Sequence, residues 1–142
     1  ASEATTNGVM SAGYDFVGPY SDGNTLIAFV PCPLQSQGTV IYSIKPIFKM
    51  QGTNPSVTVA LYAASVTSPG TRTSIVAEAT HTTSSGLTNI TGSYYYRLDT
   101  GGSLPYTIPA NTKVWAYITT SCDSGSGPEF HGLQWTFEEV KY

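Results

Sequence analysis

Residues 112–121 read Thr-Lys-Val-Trp-Ala-Tyr-Ile-Thr-Thr-Ser, and their period of two decides the fold class. Val114, Ala116 and Ile118 fall on one face; Trp115, Tyr117 and Thr119 fall on the other. Alternating β-branched and aromatic residues of this kind make a strand of an antiparallel sheet that carries bulk on both sides. The lead-in Ile108-Pro109-Ala110-Asn111 supplies the turn. Working outward, the same period appears at 56–64, where Val57, Val59, Leu61 and Ala63 alternate with Thr58, Ala60 and Tyr62. It appears again at 132–142, where Leu133, Trp135 and Phe137 are expected inside and Gln134, Thr136 and Glu138 outside.

Between these stretches the chain is punctuated by turn chemistry. A short strand is expected at 13–17, closed by Gly18-Pro19, and Ser21-Asp22-Gly23-Asn24 turns into a strand at 25–30 that Pro31-Cys32-Pro33 stops. At 39–50 Val40, Tyr42 and Ile44 share a face until Pro46, which marks a bulge or an edge. A weaker strand at 74–81 has Ile75, Ala77 and Ala79 on one face; 82–92 reads as a Ser, Thr and Gly loop; 93–98 carries Tyr94-Tyr95-Tyr96, and 104–108 is short. No helical periodicity is present. The expectation is an all-β, antiparallel, jelly-roll-like β-sandwich of eight or nine strands. Residues 1–12 form a flexible N-terminal arm and 13–142 a single domain.

With 142 residues the chain can bury about two thirds of the surface that its unfolded form exposes, without metal or disulfide. Charged residues are only 11% of it, against about a quarter in typical soluble domains. Sixteen Ser and twenty Thr meet water instead. A net charge of −3 and scattered basic residues (Lys45, Lys49, Arg72, Arg97, Lys113 and Lys141) argue against a nucleic-acid partner. No apolar run is long enough to insert in a membrane, and the first residues lack the basic and apolar regions of a signal peptide. Cys32 and Cys122 match no zinc spacing. They could be buried free thiols or a bridge closing a loop of about 90 residues.

Nothing calls for a catalytic site, a metal or a cofactor. His81 and His131 have no acid or thiol at metal spacing. Asp15, Asp22, Asp99, Asp123 and Glu129 lie in or near loops, where, without a ligand-spaced loop, turn formation explains them better than calcium does. Ser124 and Ser126 lie in a Gly/Ser loop rather than a nucleophile elbow. Asn89-Ile90-Thr91 is an N-glycosylation sequon, of consequence only in a secreted eukaryotic protein. The aromatic residues are more informative, because rigid amphipathic Tyr and Trp serve both protein interfaces and sugar platforms. Tyr94 and Tyr96 share a face, with Tyr95 on the other, and together with Trp115 they are the candidate glycan or partner surface.

The strings 39–44, 56–64, Ser68-Pro69-Gly70 and 108–118 together resemble small β-sandwich domains of bacteriophage fibres, appendages and capsid decorations. In those, a strand ending in Leu-Tyr precedes a Pro-containing loop, and an aliphatic-Pro-x-Gly-x-Tyr-Trp element enters a later strand. Here Asn111 stands where Gly is usual and Val114 where Tyr is usual before Trp115. The resemblance implies a trimeric protein of the virion surface that binds capsid or fibre proteins. The aromatic surface leaves a second reading open, a secreted carbohydrate-binding module or lectin that takes a host-surface glycan. A homo-oligomer is also expected from 26–30, which is apolar on both faces. Ile27 and Phe29 point away from Leu26, Ala28 and Val30, and each forfeits about 2 kcal/mol if left in water. Either a neighbouring copy reached by the arm covers them, or the arm or the loop 31–37 of the same chain does.

Overall fold

The two stretches with the clearest alternation lie side by side. In this computed structural model, which describes residues 3–6, 10–12, 17–19, 25–68 and 70–139, and those up to residue 26 as backbone only, β11 (Thr112–Ser121) runs antiparallel to β6 (Ser56–Ser65) over ten paired positions. The front sheet is built around this pair in the order β1 (Glu3–Thr6), β4 (Thr25–Pro31), β11, β6, β7 (Arg72–His81). The back sheet runs β2 (Met10–Ala12), β3 (Val17–Pro19), β12 (Glu129–Glu138), β5 (Val40–Lys49), β9 (Tyr94–Tyr96), β8 (Thr88–Thr91), and the two-residue β10 (Tyr106–Thr107) also pairs with β5. From residue 25 onward that gives four strands in front and five behind, the antiparallel β-sandwich expected. Within 1–12, β1 pairs with β4 and β2 with β3.

The core lies between the sheets. Val57, Val59, Leu61, Val114, Ala116 and Ile118 from the front, all fully or almost fully buried, pack with Ile41, Ile44, Phe48 and Phe130 from the back. Leu104 and Ile108 join them from the loops on either side of β10. Residues 101–104 cross the free edge of β7, where Ser103 N donates to Ile75 O. Gly102 makes this possible: its φ is +63°, and a Cβ there would stand 2.4 Å from Ile75 O. A covered edge cannot recruit a stray strand.

Several expectations are corrected. Phe137 is 38% exposed and not a core residue, although it pairs with the buried Ile41. The slip beside it adds Tyr42 to β5, so Ile41 and Ile44 both face the core while Tyr42 is exposed, and Val40, Tyr42 and Ile44 do not share a face. Leu133 and Trp135 are only partly buried; they line a cavity of about 470 Å3 with Val30, Pro33 and Phe130. In β7, two slips bring Ile75 and Val76 inward together and leave Ala77 exposed. The stretch 82–92 contains β8, an edge strand whose four residues are all exposed and so show no alternation. The irregularity expected at Pro46 lies across the ladder, where Gly132 (φ +115°) sits in a slip of β12 between the partners of Phe48 and Pro46. Pro46 O accepts from Arg97 N but has no N–H to return, and β9 ends at Tyr96. The strand expected at 13–17 and the turn at 21–24 lie, except for Val17, outside the described residues.

Both cysteines are buried and neither forms a disulfide. Cys32 N bonds Val114 O, and Cys122 lies eight residues further along that strand, about 27 Å away at 3.4 Å per residue. A disulfide needs Cα atoms within about 7 Å, so the bridge is excluded. Burial pushes the Cys32 thiol pKa up, which keeps it protonated and inert.

Beyond the end of β4 at Pro31, a side chain continues the ladder. Gln35 Oε1 accepts from Val114 N at 2.7 Å, and its Nε2 donates to Val114 O and Cys32 O at 2.9 and 3.1 Å. Gln35→Ala removes these bonds to Val114 N and Cys32 O, while Val114 O keeps Cys32 N, and should lower stability by about 1–3 kcal/mol. Gln35→Glu, which turns an oxygen toward two carbonyls, should do no better. Urea denaturation of both variants checks this, and a Glu variant as stable as the parent would refute the role.

Candidate functional site

Because β11 and β6 alternate in register, their outward residues form rows across the front sheet. Trp115 stands between Tyr62 and Pro31, and one step along Tyr117 stands between Ala60 and Phe29. The rings touch in sequence: Phe29 to Tyr117 at 5.7 Å, Tyr117 to Tyr62 at 6.3 Å, Tyr62 to Trp115 at 6.0 Å, with interplanar angles of 50°, 64° and 37°. Such tilted contacts at these separations are favourable aromatic pairs. Ala60 and Tyr62 belong to the outward set, yet they are 0% and 5% exposed. Among the described residues no further layer lies over them, so the aromatic row is their cover.

Two polar groups fix Tyr62. Arg72 lies over its ring at 4.0 Å, and its hydroxyl donates to Glu78 Oε2 at 2.9 Å. Burial, with Glu78 adding to it, raises the phenol pKa. Phe29 remains 37% exposed and, with Pro31, Gln35, Lys113 and Trp115, lines a shallow cavity of about 290 Å3. Lys113 lies 5.9 Å from the Trp115 ring. Ile27, the other contact residue expected from the sequence, is half-buried and pairs with Thr119. Phe29 and Trp115 therefore belong to one surface. Tyr62 and Tyr117 belong to it as well and were not singled out; their alternation was visible, but the register that aligns them was not.

Tyr94 and Tyr96 lie elsewhere, on the outer face of the back sheet, opposite Lys49 and Ile47, while Tyr95 pairs with the core residue Phe48. The back face is polar. Lys45 Nζ stands 4.1 Å over Tyr96 and Lys49 Nζ 5.7 Å from Tyr94, whose ring also meets His131 edge-on at 5.1 Å. His131 Nε2 lies 2.8 Å from Glu129 Oε1, and Gln51 reaches Glu129 Oε2 at 3.3 Å. The i, i+2 spacing that joins Glu129 and His131 on one face of a strand was the missed signal.

His81 ties the sheets together. Arg97 Nη1 is 2.8 Å from its Nε2, and Ser85 O is 3.0 Å from its Nδ1. A guanidinium only donates, so Nε2 accepts and Nδ1 carries the proton. Arg97 also forks onto Asp99, with Nη2 to Oδ1 at 2.9 Å and Nε to Oδ2 at 2.8 Å. Asp123 accepts from Asn54 at 2.8 Å, and Ser124 makes an isolated bridge to Thr53. Among the described residues no three metal-ligating side chains converge. Asp15 and Asp22 lie outside the described residues. Asn89, in the sequon, donates its amide to Gly92 O and Tyr94 O within the β8–β9 hairpin.

No protein-family model matches the chain. No curated protein matches it either. Among solved structures, it is distantly similar to the enzymatically active domain of tailspike protein 4 from bacteriophage CBA120, with a TM-score of 0.47 and 7% identity. The match covers 96% of this chain and 18% of that one.

The front face makes unequal demands on its rings. Tyr62→Ala removes the cover of the central strand and should cost about 3–5 kcal/mol, as for a core aromatic. Tyr62→Phe loses only the bond to Glu78, about 1 kcal/mol. Phe29→Ala, already a third exposed, should cost clearly less than Tyr62→Ala in the same urea titrations. Equal losses at both positions would contradict the covering role.

Proposed function

We propose that this domain is a non-enzymatic structural protein of a phage or virus surface, a capsid decoration, head fibre or tail appendage, working through protein–protein contacts of the front face. One observation carries the reading: a packed row of Phe29, Tyr117, Tyr62 and Trp115 across three strands, with Phe29 left open and Arg72 at the margin. Protein interfaces are enriched in these residue types and depleted in the charges that are also scarce here. The resemblance of 39–121 to phage β-sandwich domains supports the virion setting.

The carbohydrate reading is less well supported by the same geometry. Sugars stack on open ring faces, whereas the front rings are tilted into one another, and Lys45 stands over Tyr96 and Arg72 over Tyr62. Five of the described carboxylates are engaged separately, Glu78 by Tyr62, Asp99 by Arg97, Asp123 by Asn54, Glu129 by His131 and Glu138 by Tyr42, which favours a non-catalytic role. Co-sedimentation with particles of the virus that encodes the chain tests this. Binding is expected, weakened about tenfold or more by Phe29→Ser or Trp115→Ala, with no saturable signal on a glycan array. Saturable glycan binding lost on Tyr94→Ala or Trp115→Ala would establish the lectin instead.

A further inference from the structure

On the front face, the edge strand β7 carries two opposite charges in a self-complementary arrangement. Arg72 pairs with Ala64, one step beyond the level of Tyr62 and Trp115. Glu78 precedes Ala79, which pairs with Val59, and so stands near the level of Ala60, one step on the other side. Both are exposed, both lie on β7, and both are held by the same side chain, Arg72 over the Tyr62 ring and Glu78 at its hydroxyl. Neither makes an ion pair with an opposite charge among the described residues.

We infer that the partner of this face is a second copy of the chain, packed front to front about a two-fold axis. The axis lies in the interface and runs across the strands at the level of Tyr62, Trp115 and Pro31. Such an axis leaves each strand facing its own counterpart and reverses its direction. Arg72 of one copy then meets Glu78 of the other, twice. Lys113, one step beyond Trp115, comes over Tyr117 of the other copy, and the Tyr62 and Trp115 rows face themselves. This is an isologous contact, in which each pairing occurs in duplicate.

The size of the face fits. Four strands about 4.8 Å apart and up to ten residues long at about 3.3 Å each present roughly 600 Å2 per copy, so a pair buries about 1,200 Å2, the lower end of specific interfaces. The pairing is therefore expected to be weak and concentration-dependent. It replaces the three-fold ring implied by the sequence resemblance with a two-fold contact.

This inference rests on the reading of the front face as a protein-contact surface, and charge reversal separates the two. Sedimentation velocity over a concentration series should show a monomer–dimer equilibrium. Arg72→Glu alone and Glu78→Arg alone should each raise the dissociation constant about tenfold or more, since like charges then meet twice. The double exchange Arg72→Glu with Glu78→Arg should return it to within about threefold of the parent, because each new Glu meets a new Arg. Urea midpoints of all three variants report whether the monomer fold is intact. A protein monomeric at its highest soluble concentration, a three-copy species, or a double exchange that fails to restore pairing in a folded protein would overturn the pairing. Particle binding that still required Trp115 would, in that case, leave the contact surface standing with a different partner.

Discussion

The structure depends on β6 being buried on both of its faces. Its eight central residues, from Val57 to Ala64, are all buried, although only one side of the front sheet meets the back sheet. The inner side is covered by the core and the outer side by side chains of the same sheet, Tyr62, Trp115 and Tyr117, with Arg72 over Tyr62. Small residues at Ala60 and Ala64 leave room for those rings to lie down across the strand. The aromatic row is thus structural cover from below and, in the proposed function, contact surface from above. A face fixed in this way loses little side-chain freedom when a partner arrives, which lowers the entropic cost of association.

A chain with so few charges uses them in an unusual way. Four of its basic residues, Lys45, Lys49, Arg72 and Lys113, lie against aromatic rings. Glu78 and Glu138 accept from the phenols of Tyr62 and Tyr42, and only Arg97 and Asp99 pair as a full ion bridge among the described residues. Exposed ion pairs contribute little and are screened by salt. A surface held by ring contacts and hydroxyls keeps its shape across ionic strengths, a property suited to an external particle surface.

Much of the fold was legible in the sequence. Strands with one face on the core announce themselves by alternation, so β11 was read correctly to the residue and β6 to within one, as was the division of Tyr94 and Tyr96 from Tyr95. What failed has a common physical cause. At Tyr42 and at Ile75-Val76 a slip in the ladder inverts the pattern, and a slip depends on the partner strand, which the local sequence does not name. β8 was missed because an edge strand exposed on both sides has no alternation to show. Asn111 shows the converse: its φ of +54° is the left-handed conformation that Gly or Asn adopts most readily, which explains why Asn can replace the usual Gly. The candidate site was legible only in parts. Phe29 was singled out because 26–30 is apolar on both faces and Trp115 as part of the aromatic set, but the sandwich places Tyr94 and Tyr96 on the opposite outer face, a separation that only the sheet order reveals.

The central claim is that the outer face of the front sheet, not that of the back sheet, is the working surface. Hydroxyl-radical footprinting with mass spectrometry, comparing the free protein with the protein on assembled particles, reads both faces in one experiment. The account predicts that oxidation of Phe29, Trp115 and Tyr117 falls on assembly while that of Tyr94 and Tyr96 is unchanged. Protection of Tyr94 and Tyr96 with Phe29 and Trp115 still fully reactive would contradict it.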